Sequence, residues 1–190
     1  AQMIAYFYSK YKKELKMSLE CAIAMYTGIV TDTGRFRFRG VSNLTHQMAG
    51  MLIDMGVDVE YIDGMLGKES LEMIALKGYV YSNFVTTDGF IYLKMTRDVI
   101  DKYNVSDEQA ASVVGLLGGI EGFPVWALFI EYPGEVRIRL RSNGPTINEL
   151  ANRYGGGGHA KASGCRLDSW DDLPKFIKDA EAVVKAYKEA

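Results

Sequence analysis

Residue types that support disulfide or metal chemistry are scarce in this chain. Its 190 residues include two cysteines and two histidines. Cys21 and Cys165 fit no CxxC spacing and are too few for a disulfide framework, so we expect small core residues in a reducing compartment. No apolar run reaches the roughly 18 residues that a membrane helix needs, and no charged-then-apolar N-terminal signal is present. The sequence therefore predicts a cytoplasmic protein with no membrane partner.

An excess of charge of one sign is also missing. The chain carries 22 basic and 24 acidic residues, which gives a formal net charge of −2. Broad adhesion to long nucleic-acid duplexes depends on excess positive charge, so this class of function is disfavoured. The sequence also has no Walker motif, no Rossmann glycine signature, no DxD and no HExxH. Any binding of phosphate must therefore be local.

Hydrophobic periodicity predicts an α/β protein in two parts. Helical patterns dominate the first part, at residues 2–17, 18–29, from 42 to about 56, and from 57. From Gly89 onward, strands are predicted at residues 90–95, 125–131, 136–141 and 162–167, with helices at 97–103, 106–117, 147–153 and 168–188. We therefore predict a C-terminal domain at residues 89–190 with a mixed β-sheet flanked by helices. A helical linker at residues 66–88 would join it to residues 1–65.

A short alternating segment interrupts the helical part. Arg35, Arg37 and Arg39 alternate with Phe36 and Phe38. The period of a strand would place both phenylalanines on one face and the three arginines on the other. We therefore predict a strand here.

Asp32 follows an apolar run and precedes Thr33-Gly34. Two interpretations of this residue are open. It is either a turn residue that accepts N–H bonds from the next residues or a metal-ligating carboxylate. One carboxylate does not make a dinuclear site, so its partners in a metal site would lie outside this sequence. His46 has no second ligand at i+4, and we interpret it as a surface or packing histidine.

The most unusual segment is Tyr154–Gly164, which contains four consecutive glycines at 155–158 followed by His159. Such a run costs much backbone entropy, and it indicates a close approach of the main chain or positive φ angles. A glycine loop of this kind can point several N–H groups at an anion, and His159 adds a tunable donor. A flexible linker is the alternative.

Upstream of the glycines, Arg137, Arg139 and Arg141 share one face of a predicted strand. Their spacing is about 6.6 Å along the strand, and the strand leads into Ser142-Asn143 and then the glycine loop. The arginines are therefore either a phosphate track or the solvated face of an antiparallel strand. We favour the phosphate track because both features fall within about twenty residues.

With both motifs in view, the sequence resembles the DHH phosphoesterase superfamily, in its nano-RNase/3′-phosphoadenosine 5′-phosphate (pAp) phosphatase branch. Gly28–Phe36 looks like the last metal-binding motif of the catalytic domain. Arg141-Ser142, followed by Gly155–His159 and Ala162–Gly164, looks like the substrate-binding signature of the DHH-associated C-terminal domain. The Asp-His-His triplet that names the superfamily is absent. We therefore expect the back portion of a two-domain enzyme, with residues 1–65 as a remnant of the α/β catalytic domain.

The resemblance implies roles for individual residues. Asp32 would be a catalytic residue and a ligand to one of two Mn²⁺ ions. The residues that would contact the substrate are Arg141, Ser142, Asn143, Gly156, Gly157, Gly158 and His159. Among them, the glycines would supply backbone N–H groups and His159 would donate to a phosphate.

The resemblance also implies a function, which is hydrolysis of very short RNA oligonucleotides and of pAp. Because only Asp32 of the metal-binding set is present, we expect this chain alone to be inactive and to bind no Mn²⁺. A homodimer is left open. The alternatives are a cyclic-dinucleotide phosphodiesterase or single-strand exonuclease of the same superfamily, and a non-catalytic RNA-binding module.

Overall fold

The structure is a computed structural model that describes residues 1–189. It divides into two compact units, Ala1–Lys68 and Glu69 onward. The division falls inside the predicted linker at residues 66–88. No helix among the described residues is both long and apolar enough to cross a membrane.

Four helices build the first unit. They are α1 (Gln2–Tyr11), α2 (Leu19–Asp32), α3 (Asn43–Asp54) and α4 (Val59–Leu66). Side chains cap three of them: Ser18 and Asp58 accept from N–H groups of the first turns of α2 and α4, and Ser42 forms a capping box with Thr45. The apolar faces of the four helices bury a core that includes Ala5, Ala22, Tyr26, Ile29, Met48, Leu52 and Ile62. The first helix, α1, ends at Tyr11, so it is shorter than the helix predicted at residues 2–17.

The predicted strand at residues 35–39 is wrong. The φ angles of Gly34, Arg35 and Phe36 are 55°, 58° and 62°, so the chain makes a left-handed turn after α2. Thr33 supports this turn because its hydroxyl donates to the Ile29 carbonyl at 2.6 Å and accepts from the Phe36 N–H at 3.0 Å. The alternation of arginine and phenylalanine suggested a strand because a pattern of hydrophobicity does not reveal whether the φ angles are positive or negative.

The second unit is built on a six-stranded mixed sheet, and the fold class predicted for it is confirmed. The strands are β1 (Val85–Thr86), β2 (Phe90–Met95), β3 (Val125–Tyr132), β4 (Glu135–Ser142), β5 (Gly157–His159) and β6 (Ala162–Leu167). Their order is β1-β2-β3-β4-β6-β5. β2 and β3 are parallel, and the other neighbours are antiparallel.

Helices cover the two faces of this sheet unequally. One face packs against α8 (Asn148–Arg153) and α9 (Leu173–Lys188) over a core that includes Phe90, Phe129, Ile138, Leu150 and Phe176. The other face packs against α5 (Leu71–Asn83), α6 (Arg97–Lys102), α7 (Asp107–Ser112) and a 3₁₀ helix at Val113–Gly119. The buried strand residues of this second core all come from β2 and β3. The same face over β4, β6 and β5 is therefore left open.

Candidate functional site

A groove of about 660 Å³ lies on the open face of the sheet. Its lining includes Arg137, Arg139 and Arg141 of β4 together with Gly157 and Gly164. The three arginines alternate with Val136, Ile138 and Leu140, which are buried in the core on the opposite face. The two-residue period of β4 therefore delivers the arginines to the groove, as the sequence predicted.

The register of three strands sets the arrangement of the groove. Residues directly opposite each other in a sheet project from the same face. Across β4, β6 and β5, one row reads Arg139, Gly164, Gly157 and the next row reads Arg141, Ala162, His159. Two guanidinium groups thus border the groove beside small residues, and His159 ends the second row at the edge of the sheet.

The positive charge in the groove is distributed unevenly. The Arg137 Nε donates to Glu135 Oε1 at 2.7 Å, and the Arg166 Nη1 lies 3.6 Å from Glu135 Oε2. The hydrogen bond from Arg137 holds the pKa of Glu135 below its ordinary value, so the carboxylate stays ionised at neutral pH. Within residues 1–189, Arg139 and Arg141 form no ion pair. Uncompensated positive charge is therefore concentrated at these two residues.

Arg141 is half-buried and is held in place by main-chain carbonyls. Its Nη1 donates to the Leu140 oxygen at 2.9 Å and to the Ser163 oxygen at 3.4 Å. Burial, and secondarily the neighbouring charge of Arg139, lowers the pKa of Arg141. Both causes penalise the cation in the absence of an anion. A bound phosphate would relieve them, because a guanidinium remains protonated at neutral pH and pairs well with phosphate oxygens.

The first two glycines of the loop serve the fold. Gly155 has φ 66° and ends α8, with its N–H donating to the Asn152 carbonyl at 3.2 Å. The Gly156 N–H donates to the Ala151 carbonyl at 3.0 Å, which completes a Schellman cap. A Cβ at Gly156 would lie 2.0 Å from the Gly164 oxygen. The close approach predicted from the sequence is thus made to β6, and the Gly156 N–H that was predicted to face a ligand is already bonded within the protein.

The next residues of the loop form the outer wall of the groove. Gly157 and Gly158 line it, and β5 pairs them with Gly164 and Ser163 of β6. His159 ends β5 on the exposed edge of the sheet, in the row that begins at Arg141. Gly157 and His159 therefore share the face of Arg139 and Arg141, whereas Gly158 lies in the intervening row and borders the groove with its main chain.

Ser142 and Asn143 lie elsewhere. Ser142 follows Arg141 in β4, so it projects from the other face of the sheet, and it is 6% exposed. Its hydroxyl donates to the Pro145 carbonyl at 2.6 Å and accepts from the Gly144 N–H at 3.0 Å. The Asn143 N–H donates to the Pro124 carbonyl at 3.0 Å, and its side chain borders a different cavity at residues 119–124. The geometry gives both residues a role in shaping the turn after β4 and places neither in the groove.

Asp32 is the last residue of α2 in the first unit, and its side chain is 74% exposed. Among residues 1–189, no group of three or more His, Cys, Asp or Glu side chains could hold a metal ion. A lone carboxylate does not fit a two-ion site by itself. The ligand role of Asp32 therefore stays a prediction.

His46 lies exposed on α3, and its ring stacks on Phe36 with 5.0 Å between centroids and 24° between planes. This agrees with the interpretation of a surface or packing histidine.

Comparisons with known proteins cover both the groove and the first unit. The DHHA1 domain model matches residues 87–186, which include the whole groove. The protein named "Bifunctional oligoribonuclease and PAP phosphatase NrnA" of Bacillus subtilis (strain 168) is 34% identical over 174 residues, which are 91% of this chain and 56% of that protein. A protein of the same name from Mycoplasma pneumoniae is 36% identical over 167 residues, covering 87% of this chain and 51% of the relative.

A solved structure is also similar to this chain. The crystal structure of an exopolyphosphatase-related protein from Bacteroides fragilis superposes with a TM-score of 0.79 at 26% identity, over 87% of this chain and 50% of that one. The chain thus spans about half the length of the relatives it matches.

Proposed function

This chain belongs to the DHHA1 domain family, and from that premise we propose that the groove over β4, β6 and β5 binds the phosphorylated end of short oligoribonucleotides and of pAp. The whole protein would hydrolyse these substrates. Membership of the family confirms the resemblance to the DHH superfamily. Two relatives carry names that state both activities, which supports this choice of substrates.

One observation carries the proposal. Arg139 and Arg141 form no ion pair within residues 1–189, and they face an open groove whose opposite wall is the glycine segment. Guanidinium groups about 6.7 Å apart along a strand can share one phosphate, since each side chain is long enough to converge on it. Two cations suit a short substrate with one or two phosphates. A long strand would need a basic stripe with stacking aromatics.

The residues of the second unit would bind and orient the substrate. Arg141 is fixed by carbonyl bonds before the ligand arrives, so little side-chain entropy is lost on binding. His159 would donate from the exposed edge. The first unit would contribute Asp32 to hydrolysis in the whole enzyme. The two Mn²⁺ ions of the whole enzyme, its cytoplasmic location and its assembly as a homodimer all stay predictions.

Titration calorimetry of this chain with pAp and with a 5′-phosphorylated RNA dinucleotide tests the proposal. Arg139→Gln and Arg141→Gln should each weaken binding by about 10- to 100-fold, the scale of one hydrogen bond to a charged group. Arg153→Gln is the matched control, because Arg153 is an exposed arginine in the last turn of α8, outside the groove. It should change the affinity by less than about twofold at physiological salt.

Three results would count against the proposal. Equal losses in the control and in the groove variants would indicate a general charge effect and no contact. Unchanged affinity in both groove variants would remove the proposed phosphate site. Preferential binding of a tRNA acceptor stem over both ligands would favour a non-catalytic RNA-binding module.

A further inference from the structure

The end of the groove beyond Arg139 has a different chemistry from the phosphate end. The guanidinium carbon of Arg137 lies 4.2 Å from the ring centroid of Tyr132, and both side chains line the groove. One face of the guanidinium is thus covered by the phenol ring. The Arg137 side chain is 58% exposed. Its other face is therefore available to a ligand.

Glu135 fixes the orientation of this planar group. It accepts from the Arg137 Nε at 2.7 Å and also pairs with Arg166, which stands opposite Arg137 on β6. The ion pair restrains the rotation of the guanidinium and offsets its charge. A second phosphate would meet the ionised carboxylate of Glu135 at this end, so an uncharged planar group suits it better.

The spacing along β4 matches the parts of one nucleotide. Arg137 lies two residues, about 6.7 Å, from Arg139, and Arg139 lies the same distance from Arg141. A phosphate shared by Arg139 and Arg141 would leave one such interval for a ribose before Arg137 is reached. Nucleobases stack on arginine guanidinium planes as they do on aromatic rings.

We propose that Arg137, backed by Tyr132, is the stacking platform for the nucleobase of a nucleotide whose phosphate is bound by Arg139 and Arg141. The inference rests on the proposed function for the phosphate, and it adds a base-binding subsite. Because every base has a π-face, such a subsite accepts all four bases and distinguishes a nucleotide from a bare sugar phosphate.

Calorimetry with three ligands tests it on this chain. AMP and ribose 5-phosphate share a phosphate and differ by the base, and adenosine carries the base without a phosphate. Wild type should bind AMP about tenfold more tightly than ribose 5-phosphate. Arg137→Lys keeps the charge and removes the planar face. It should abolish most of this preference and leave the affinity for ribose 5-phosphate within about twofold.

Two further variants sharpen the test. Tyr132→Leu removes the ring behind the guanidinium and should weaken AMP binding more than ribose 5-phosphate binding. Arg153→Lys, the matched change outside the groove, should alter neither. Unchanged melting temperatures would show that the variants fold.

The outcomes separate this inference from the proposed function. Equal affinity of wild type for AMP and ribose 5-phosphate, or equal losses of both in Arg137→Lys, would overturn the base platform and leave the phosphate site standing. Adenosine binding as tightly as AMP, with a loss in Arg137→Lys, would support the platform and contradict the phosphate site. No binding of any of the three ligands would overturn both.

Discussion

The three arginines of β4 differ in their partners although they share a strand and a face. Arg137 is paired with Glu135 and stacked on Tyr132, Arg141 is anchored by carbonyl oxygens, and Arg139 forms no ion pair among the described residues. Neutralisation by a carboxylate removes a cation from competition for phosphate, whereas anchoring to carbonyls does not. The groove therefore offers one end to a phosphate and another to a planar group.

Ser142 provides a prediction at the level of a single residue. Ser142→Ala would leave the Gly144 N–H and the Pro145 carbonyl without their shared partner in a buried turn. We expect the free energy of unfolding to fall by about 1–3 kcal/mol. Because the side chain faces away from the groove, the affinity for pAp should stay within about twofold in calorimetry. A large loss of affinity with unchanged urea unfolding would contradict the structure and restore the contact that the resemblance implied.

The two cysteines should differ in reactivity. Cys165 is buried as predicted, and burial raises its pKa to about 12, so the folded protein holds it as a thiol at neutral pH. The core position predicted for Cys21 is wrong, because this residue lies exposed near the start of α2. Iodoacetamide at pH 8 should alkylate Cys21 in the native protein and Cys165 only after unfolding, as peptide mass spectrometry would show. The unfolded chain releases the Cys165 proton above a pH of about 8.5, so this group lowers the stability of the fold as the pH rises from there towards 12. Rapid alkylation of Cys165 in the native state would contradict the burial.

Strand period and the glycine run are local signals, and at this scale they indicated Arg141, Gly157, Gly158 and His159, whose binding roles stay predictions. Sequence reasoning did not detect the neutralisation of Arg137, although Glu135 lies two residues before it on β4 and therefore on the same face. It misplaced Ser142 because the resemblance paired it with Arg141, although adjacent strand residues face opposite sides.

At the level of elements, the glycine segment joins a helix end to an edge strand. Gly155 and Gly156 close α8 with a Schellman cap, and β5 begins at Gly157. The loop can turn this tightly because Gly156 lies against the backbone of β6. The same geometry places Gly157 and Gly158 on the wall of the groove and His159 at the edge of the sheet. Much of the entropic cost of the glycine run is thus explained by the fold.

Alanine substitutions at Gly156 and Gly157 should differ in their effect on the free energy of unfolding. Gly156→Ala would force a Cβ to within 2.0 Å of the Gly164 oxygen and 2.6 Å of the Cys165 Cα. We expect a loss of about 2–3 kcal/mol in the free energy of unfolding, at the upper end for overpacking, because backbone atoms cannot move aside easily. Gly157→Ala is the matched control. Its Cβ would meet only Asn152 Oδ1, at 3.4 Å, and we expect a change below about 1 kcal/mol. Equal effects in urea unfolding would show that the close approach is absent.

The long strands of the second unit were predictable, and two short ones were not. β2, β3, β4 and β6 carry alternating or continuous apolar runs that local pattern reveals. β1 has two residues, and β5 consists of two glycines and a histidine, so neither has an apolar pattern. The turn at residues 34–36 was mistaken for a strand because left-handed φ angles leave no mark on hydrophobic alternation.

At the level of the whole molecule, the chain combines a helical unit with the DHHA1 sheet unit, and it spans about half the length of the relatives it matches. Asp32 belongs to the first unit and the groove to the second. Under the proposed function, the groove would bind the substrate and Asp32 would take part in its hydrolysis. Binding experiments on this chain address the first of these roles directly.

The central claim is that Arg139 and Arg141 bind the phosphorylated end of a short nucleotide on the open face of the sheet. A crystal structure of this chain with pAp would test it most directly. We expect phosphate oxygens at about 2.7–2.9 Å from both guanidinium groups. A ligand bound beside Asn143 or on another surface, with the groove between Arg139 and Gly157 empty, would contradict the claim.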